Sequence, residues 1–310
     1  MNITGRYDKD QLREQVLTLT KLPTLPVIAM EILQITRDDQ LSIRQLLPII
    51  EKDPPVALQV LKVANSAFYG LKEHVESLRH ALVIIGMDEL SHLVVSFSVI
   101  KAFQEGAGDI HKQYEKYREH TYLWKKYWEH CSACAHVCEL LDQRLNLKLS
   151  VNSYSLGLLH DIGKLVLYKI VPEAYMEAIQ TARHSKTASA DIEEDILGVT
   201  HMEVGGWIAE RWALPNVLHT SITQHHAPDV LDDESTQLAA ATVQLADTLS
   251  ISRNHYFGTE IIHEHPDELP SWSILQAHTP YLQGLEYRDL LLSLDEELCA
   301  LEDVIRLVEI

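Results

Sequence analysis

A chain of 310 residues, 46% hydrophobic and 23% charged, has the composition of a globular protein with room for a sizeable core. Lys plus Arg number 26 against 45 Asp plus Glu, a formal net charge of −19 that disfavours non-specific nucleic-acid or anionic-membrane binding but allows a local basic pocket. Residues 1–12 lack the apolar core of a secretory signal, no apolar run approaches the roughly 18–20 residues of a membrane span, and four Cys are too few for a disulfide scaffold, so the reading is a cytoplasmic protein.

Helical periodicity dominates from the start. Val27, Met30, Ile32-Leu33 and Ile35 recur at spacings of three and four, as do Leu46-Leu47, Ile49-Ile50 and then Val56, Val60, Leu61 and Val63-Ala64. Pro23, Pro26, Pro54 and Pro55 fall at helix starts, where a fixed φ and a missing N–H do least harm. Asp53 before Pro54-Pro55 reads as an N-cap, and Gly70 and Gly86 as stops. About six short helices therefore fill residues 10–105, and the β-branched run Leu82-Val83-Ile84-Ile85 fits buried helix as well as strand. After a break at 105–109, a longer helix carries Trp124, Tyr127-Trp128, Cys131, Cys134, Cys138 and Leu141 on one stripe. Further helices are expected at about 153–170, 173–184, 189–197, 201–213, 215–225 and 235–252, with Thr200 and Glu203 as a capping box. Residues 253–284 read as an irregular excursion, and a last helix spans about 286–308. The expected fold class is all-α, in two packed helical subdomains covering 1–112 and 113–310.

Histidine is the outlying residue type, with 17 in the chain. The strongest chemical signal is Leu158-Leu159-His160-Asp161-Ile162-Gly163-Lys164, an adjacent His-Asp pair in an apolar helical run. Burying that pair without partners is costly, and a metal satisfies both, since neutral imidazole and carboxylate suit Zn, Mn and Fe. Further ligands must come from elsewhere in the chain. His130 flanks the Trp124–Cys138 stripe, His201 opens a helix, His225-His226 closes one before Pro228, and Asp247 is the only charged residue between Ser235 and Ser252. Each has a plainer reading: a cap or surface role for His201, solvation for His225, and for His160-Asp161 a structural pair in which Asp fixes the imidazole tautomer. Cys131, Cys134 and Cys138 could be thiolate ligands, but their spacing favours a packed helix face, with Cys299 too remote to complete a site.

The order His130, His160-Asp161, His201, His225-His226, Asp247 resembles the HD superfamily of metal-dependent phosphohydrolases. The resemblance implies that His130, His160, Asp161 and Asp247 hold one ion, and that His201, His225 and His226 add a second. It implies that Asp161 bridges the ions, that a hydroxide between them attacks a phosphate ester, and that Lys164 contacts a phosphate oxygen. Asp161 and Lys164 are the catalytic candidates on this reading. The first half narrows the family. Leu22-Pro-Thr-Leu-Pro26, Glu51-Lys-Asp-Pro54, Leu61-Lys-Val-Ala-Asn-Ser66, Phe68-Tyr-Gly70, Ala81 and Ile84-Ile-Gly86 closely resemble the HDOD domain, the HD-related output domain, over roughly 20–250. That implies an all-helical bacterial signalling module whose second subdomain is an HD-like bundle.

Two departures limit the chemistry. The chain reads Ala-Pro-Asp after His225-His226, without the Gly-Tyr-Pro motif of the cyclic-dinucleotide hydrolases, and Lys126 stands four before His130 where some three-metal members have Glu. The expected function is a signal-transduction output module with a site for one or two divalent transition metals, acting through signalling proteins or a small nucleotide and not through nucleic acid or membrane. The alternatives are an active phosphohydrolase on a nucleotide or phosphodiester, and a scaffold that no longer binds metal. Five His and two carboxylates suit Fe, Mn or Zn, with Fe ahead as a mixed N/O di-iron site.

Overall fold

The computed structural model describes residues 7–18, 27–33, 43–71, 74–105, 118–255, 257 and 265–305. The first half comprises α1 (Lys9–Thr18), α2 (Val27–Leu33), α3 (Ile43–Ile50), α4 (Pro54–Ala64), α5 (Leu78–Ile85) and α6 (Met87–Glu105). Asp53 caps α4 as its sequence predicts, accepting from Val56 N at 3.2 Å. The same carboxylate takes the Lys101 ammonium of α6 at 2.9 and 3.0 Å, so the cap also ties α4 to α6. Asn65 stands in for a backbone partner. It donates to Leu61 O and Val75 O at 2.8 and 2.9 Å and accepts from Val75 N at 2.7 Å, fixing the chain that leads into α5. Gly86, at φ +89°, ends α5 and turns the chain by 115° into α6. No single helix among the described residues is long and apolar enough to cross a membrane.

The second half runs α7 (Arg118–Leu145), α8 (Ser153–Leu159), α9 (Ile162–Ile170), α10 (Pro172–Ser185), α11 (Ser189–Leu197), α12 (His201–Arg211), α13 (Asn216–Gln224), α14 (Glu234–Ser252), α15 (Pro270–His278), α16 (Tyr287–Ser293) and α17 (Asp295–Ile305). The chain is all-α, with no strand among the described residues. α7 and α14 form the interior of this half, packed on α8, α13 and α15. Cys131, Cys134 and Cys138 lie wholly buried on α7, and burial pushes the Cys131 and Cys134 thiols well up, which fits packing rather than ligation. α1 docks on α12: Lys9 pairs with Glu203, Arg13 with Glu210 at 3.2 Å, and Arg211 donates to Val16 O at 2.7 Å.

Three expected boundaries differ from the structure. The helix expected over 153–170 breaks at His160-Asp161, where Asp161 has φ −100° and ψ 14°, and this break lets both side chains turn inward. The excursion at 253–284 contains α15, begun at Pro270. The last helix is two, broken at Leu294, whose N–H reaches back to close α16. The Pro23 and Pro26 signals, the 112/113 boundary and Leu307-Val308 lie outside the described residues.

Candidate metal centre

Close backbone approach sets the position of the site. A Cβ on Gly163 would stand 1.8 Å from His201 O and 2.7 Å from Gly205 N, so glycine is what lets α9 meet the start of α12. Gly157 does the same for α8 against α7, where a Cβ would stand 2.5 Å from Ala135 N. The Thr200–Glu203 capping box starts α12 so that its first residue, His201, faces inward.

Asp161 is the hub. Its Oδ2 faces His130 Nε2 at 3.5 Å, His160 Nε2 at 3.4 Å and Lys164 Nζ at 2.7 Å. Its Oδ1 faces His201 Nε2 at 3.4 Å and His225 Nε2 at 3.8 Å. Asp247 Oδ1, from the middle of α14, lies 3.4 Å from His130 Nε2. The His226 ring lies 4.1 Å from that of His225 and 5.4 Å from that of His201, centroid to centroid. All seven expected ligand residues thus converge, in two groups that share Asp161. His130, His160 and Asp161 form one triad of donor atoms, and His201, His225 and His226 the other, each with its donor atoms within 4.8 Å of one another.

Four of the imidazoles are oriented through the nitrogen that points away. His130 Nδ1 meets His255 O at 3.0 Å, His160 Nδ1 meets Gly157 O at 2.7 Å, and His225 Nδ1 meets Ile222 O at 3.0 Å. His201 Nδ1 meets Glu193 Oε2 at 2.6 Å, an oxygen that also accepts the His201 backbone N–H at 2.7 Å. Carbonyls and this carboxylate accept, so Nδ1 carries the proton and Nε2 turns its lone pair inward, which is how metal-ligating histidines are held. His201 Nε2, His225 Nε2, Asp161 Oδ1 and Asp247 Oδ1 are buried without a hydrogen bond. His130 Nε2 and His160 Nε2 stand 3.3 Å apart, a contact that needs a shared proton or a cation between the two lone pairs. The donor set and its unsatisfied atoms fit a divalent transition metal.

The electrostatics favour positive charge beside Asp161. Burial alone would raise the Asp161 carboxyl, but His160 and then Lys164 outweigh it and hold Asp161 well below the usual carboxylate range. Burial would lower His160, and Asp161 holds it well above the ordinary imidazole value. Desolvation, then the neighbouring His226, pushes His225 well down. Desolvation and His201 bring His226 to about 3, although its residue keeps an opening to solvent. Asp247 is pushed up by burial.

The buried positions of His201 and His225 remove the surface readings that each allowed alone. Glu193 has no sequence signature, whereas the His255 carbonyl and buried Phe257, whose ring centroid lies 5.8 Å from Lys164 Nζ, come from the aromatic and histidine-rich start of the 253–284 excursion. Glu193 looks like any acid in the run Asp191-Ile-Glu-Glu-Asp195, and its role could be suspected only from lying eight residues before His201. Tyr256 and His263, in the same excursion, lie outside the described residues.

The HDOD domain family model matches residues 22–228. An HDOD domain protein of unknown function from Geobacter sulfurreducens superposes with a TM-score of 0.75 at 20% identity, covering 96% of this chain and 97% of that one. A candidate signal transduction protein from Marinobacter aquaeolei VT8 gives 0.67 at 21% identity, over 98% of this chain and 68% of that one. A candidate phosphohydrolase from Shewanella amazonensis SB2B gives 0.62 at 20%, over 96% of each. An uncharacterised protein of Treponema pallidum (strain Nichols) is 23% identical over 66% of this chain, which spans 37% of that relative's length. With its all-α fold and the family model running from ahead of α2 through the His-Asp pair and His225-His226, the chain belongs to the HDOD family.

Proposed function

We propose that this chain is a signal-transduction output module whose HD-like half, within 113–310, holds one or two divalent transition-metal ions, Fe ahead of Mn or Zn. Its output is contact with signalling proteins or a small nucleotide. The observation that carries the metal reading is the oriented donor set: four imidazoles anchored through Nδ1, with Nε2 aimed at or beside a buried Asp161 whose Oδ1 has no hydrogen bond. His130, His160, Asp161 and Asp247 would hold one ion, and Asp161, His201, His225 and His226 a second. Metal bound there supplies Lewis acidity toward a phosphate oxygen.

The engagement of Lys164 favours a binding module over an enzyme. Lys164 is buried and already engaged by Asp161 at 2.7 Å, Phe257 lies beside it, and Arg183 donates to Phe257 O at 3.2 Å to hold that residue in place. A phosphate oxygen would have to compete with Asp161 for this ammonium. The second reading, a phosphohydrolase on a nucleotide or phosphodiester, is favoured by the completeness of the donor set. There Lys164 would neutralise phosphate charge, and Glu193 would keep His201 in its tautomer.

A metal-reconstituted screen of mononucleotides, cyclic dinucleotides and generic phosphate esters tests the choice, with Asp161→Ala and Lys164→Ala beside the wild type. The expected result is little or no hydrolysis of cyclic-di-GMP and at most weak turnover of small esters. Robust turnover abolished by both substitutions would make the chain a phosphohydrolase.

A further inference from the structure

A second cluster of ligating side chains lies where α6 of the first half meets the bundle of the second. Glu89 and His92 are three apart on α6, and His136 and Glu139 are three apart on α7, so each helix presents one imidazole and one carboxylate on one face. Ligand atoms of Glu89, His92 and His136 lie within 4.8 Å of one another. His92 Nδ1 stands 3.6 Å from Glu89 Oε2, and His92 Nε2 stands 3.6 Å from Glu139 Oε1. Both separations exceed hydrogen-bond length.

His92 and His136 are each only 3% exposed, and both nitrogens of His92 and the Nε2 of His136 are buried with no hydrogen bond. A neutral imidazole carries one lone pair and one N–H, and leaving these nitrogens unsatisfied in one place is costly unless an ion takes one lone pair from each ring. The Tyr154 ring stacks on His92 with centroids 4.0 Å apart and planes 5° from parallel, and its hydroxyl is anchored 2.9 Å from Ser96 Oγ, so the His92 ring is fixed in place. Glu89 and Glu139 keep 23% and 24% of their side chains exposed, which gives an ion a way in from solvent. Burial brings His136 down to about 4, leaving it a neutral imidazole at neutral pH, the ligating form.

We propose that Glu89, His92 and His136 form a further divalent-metal site, suited to Zn2+, that clasps α6 to α7, with Glu139 orienting His92 through the nitrogen that does not ligate. Two imidazoles and a carboxylate are a Zn2+ donor set that leaves a position for water, and an orienting carboxylate behind a ligating histidine is the usual second partner. The site is separate from the His-Asp centre. His136 lies six residues beyond His130 on α7, about 9 Å along the axis and facing another way.

The test is Zn2+ uptake by chelator-stripped full-length protein, measured by metal analysis after gel filtration, in the wild type and in Asp161→Ala. In both backgrounds Glu89→Gln and His136→Gln should each lower bound Zn2+ by one equivalent. The rise in unfolding temperature that Zn2+ gives Asp161→Ala should vanish with them. Circular dichroism reports whether each variant folds; should His136→Gln fail, the near-isosteric Glu89→Gln decides alone. Co2+ in place of Zn2+ should give Asp161→Ala a visible absorption band that Glu89→Gln removes. Unchanged uptake in Glu89→Gln, or no Zn2+ taken up by Asp161→Ala, would overturn the proposal and leave His92 as a buried structural imidazole between two carboxylates.

Discussion

Replacing Gly163 by Ala should damage the His-Asp centre without touching a ligand. The added Cβ would stand 1.8 Å from His201 O and 2.7 Å from Gly205 N, both backbone atoms that no rotamer change can move. Restoring ordinary contact requires α9 and α12 to separate by about 1.6 Å at this point, which is overpacking of the kind that costs about 1–3 kcal/mol. Alanine's better helix propensity offsets less than its full ~1 kcal/mol, because residue 163 is the second of its helix. The same displacement carries His201 away from Asp161, now 3.4 Å distant, and loss of ligand orientation weakens metal binding by about 10–100-fold. Urea unfolding with chelator present reads the first effect, and metal titration of the stripped protein reads the second. Gly206→Ala is the control, since its Cβ meets side-chain atoms alone, the Thr223 methyl at 2.7 Å and His219 Nε2 at 3.6 Å, and no backbone. A Gly163→Ala protein as stable as Gly206→Ala, binding metal as the wild type does, would refute this account of how the halves of the site are brought together.

Asp161→Ala should deplete more bound metal than His201→Ala, because Asp161 faces both groups of imidazoles and His201 only one; elemental analysis of the purified variants decides. Asp53→Ala removes an N-cap worth ~1 kcal/mol and the Lys101 pair with it, and Asn65→Ala removes three hydrogen bonds; both should lower the melting temperature with metal content unchanged. Desolvation brings Lys169 down to about 8, so between pH 8 and its ordinary 10.5 the unfolded chain binds more protons than the folded one. The burial penalty is fully present below pH 8 and is relieved as pH rises, so wild-type stability should climb from pH 8 to 10 relative to Lys169→Met in denaturant titrations.

What the sequence made legible was chemistry carried by residue identity. A His-Asp pair in an apolar run, a lone Asp in an apolar helix and a capping box each announce a cost or a bond that the residue type itself implies, and all reappear in the structure. Helix limits were less readable. Apolar periodicity runs unbroken through His160-Asp161, yet the chain breaks there, because pointing two adjacent side chains into one centre is incompatible with continuous helical spacing. Leu294 likewise keeps the period while its helix ends. The parts that were not readable act through tertiary approach: backbone carbonyls that orient imidazoles, Glu193 among ordinary acids, and Lys101 reaching Asp53 across 48 residues. Gly163 was visible as part of His-Asp-x-Gly-Lys, but the reason for glycine there, the His201 carbonyl, appears only in the fold.

The most direct test of the central reading is the metal content of protein purified without chelator, with uptake of Fe, Mn and Zn by the stripped chain, for wild type beside Asp161→Ala. The account predicts at least one transition-metal ion at the His-Asp centre of the wild type and its loss in Asp161→Ala. A wild-type chain that carries no metal and takes up none, or an Asp161→Ala chain that keeps the full wild-type content, would contradict it.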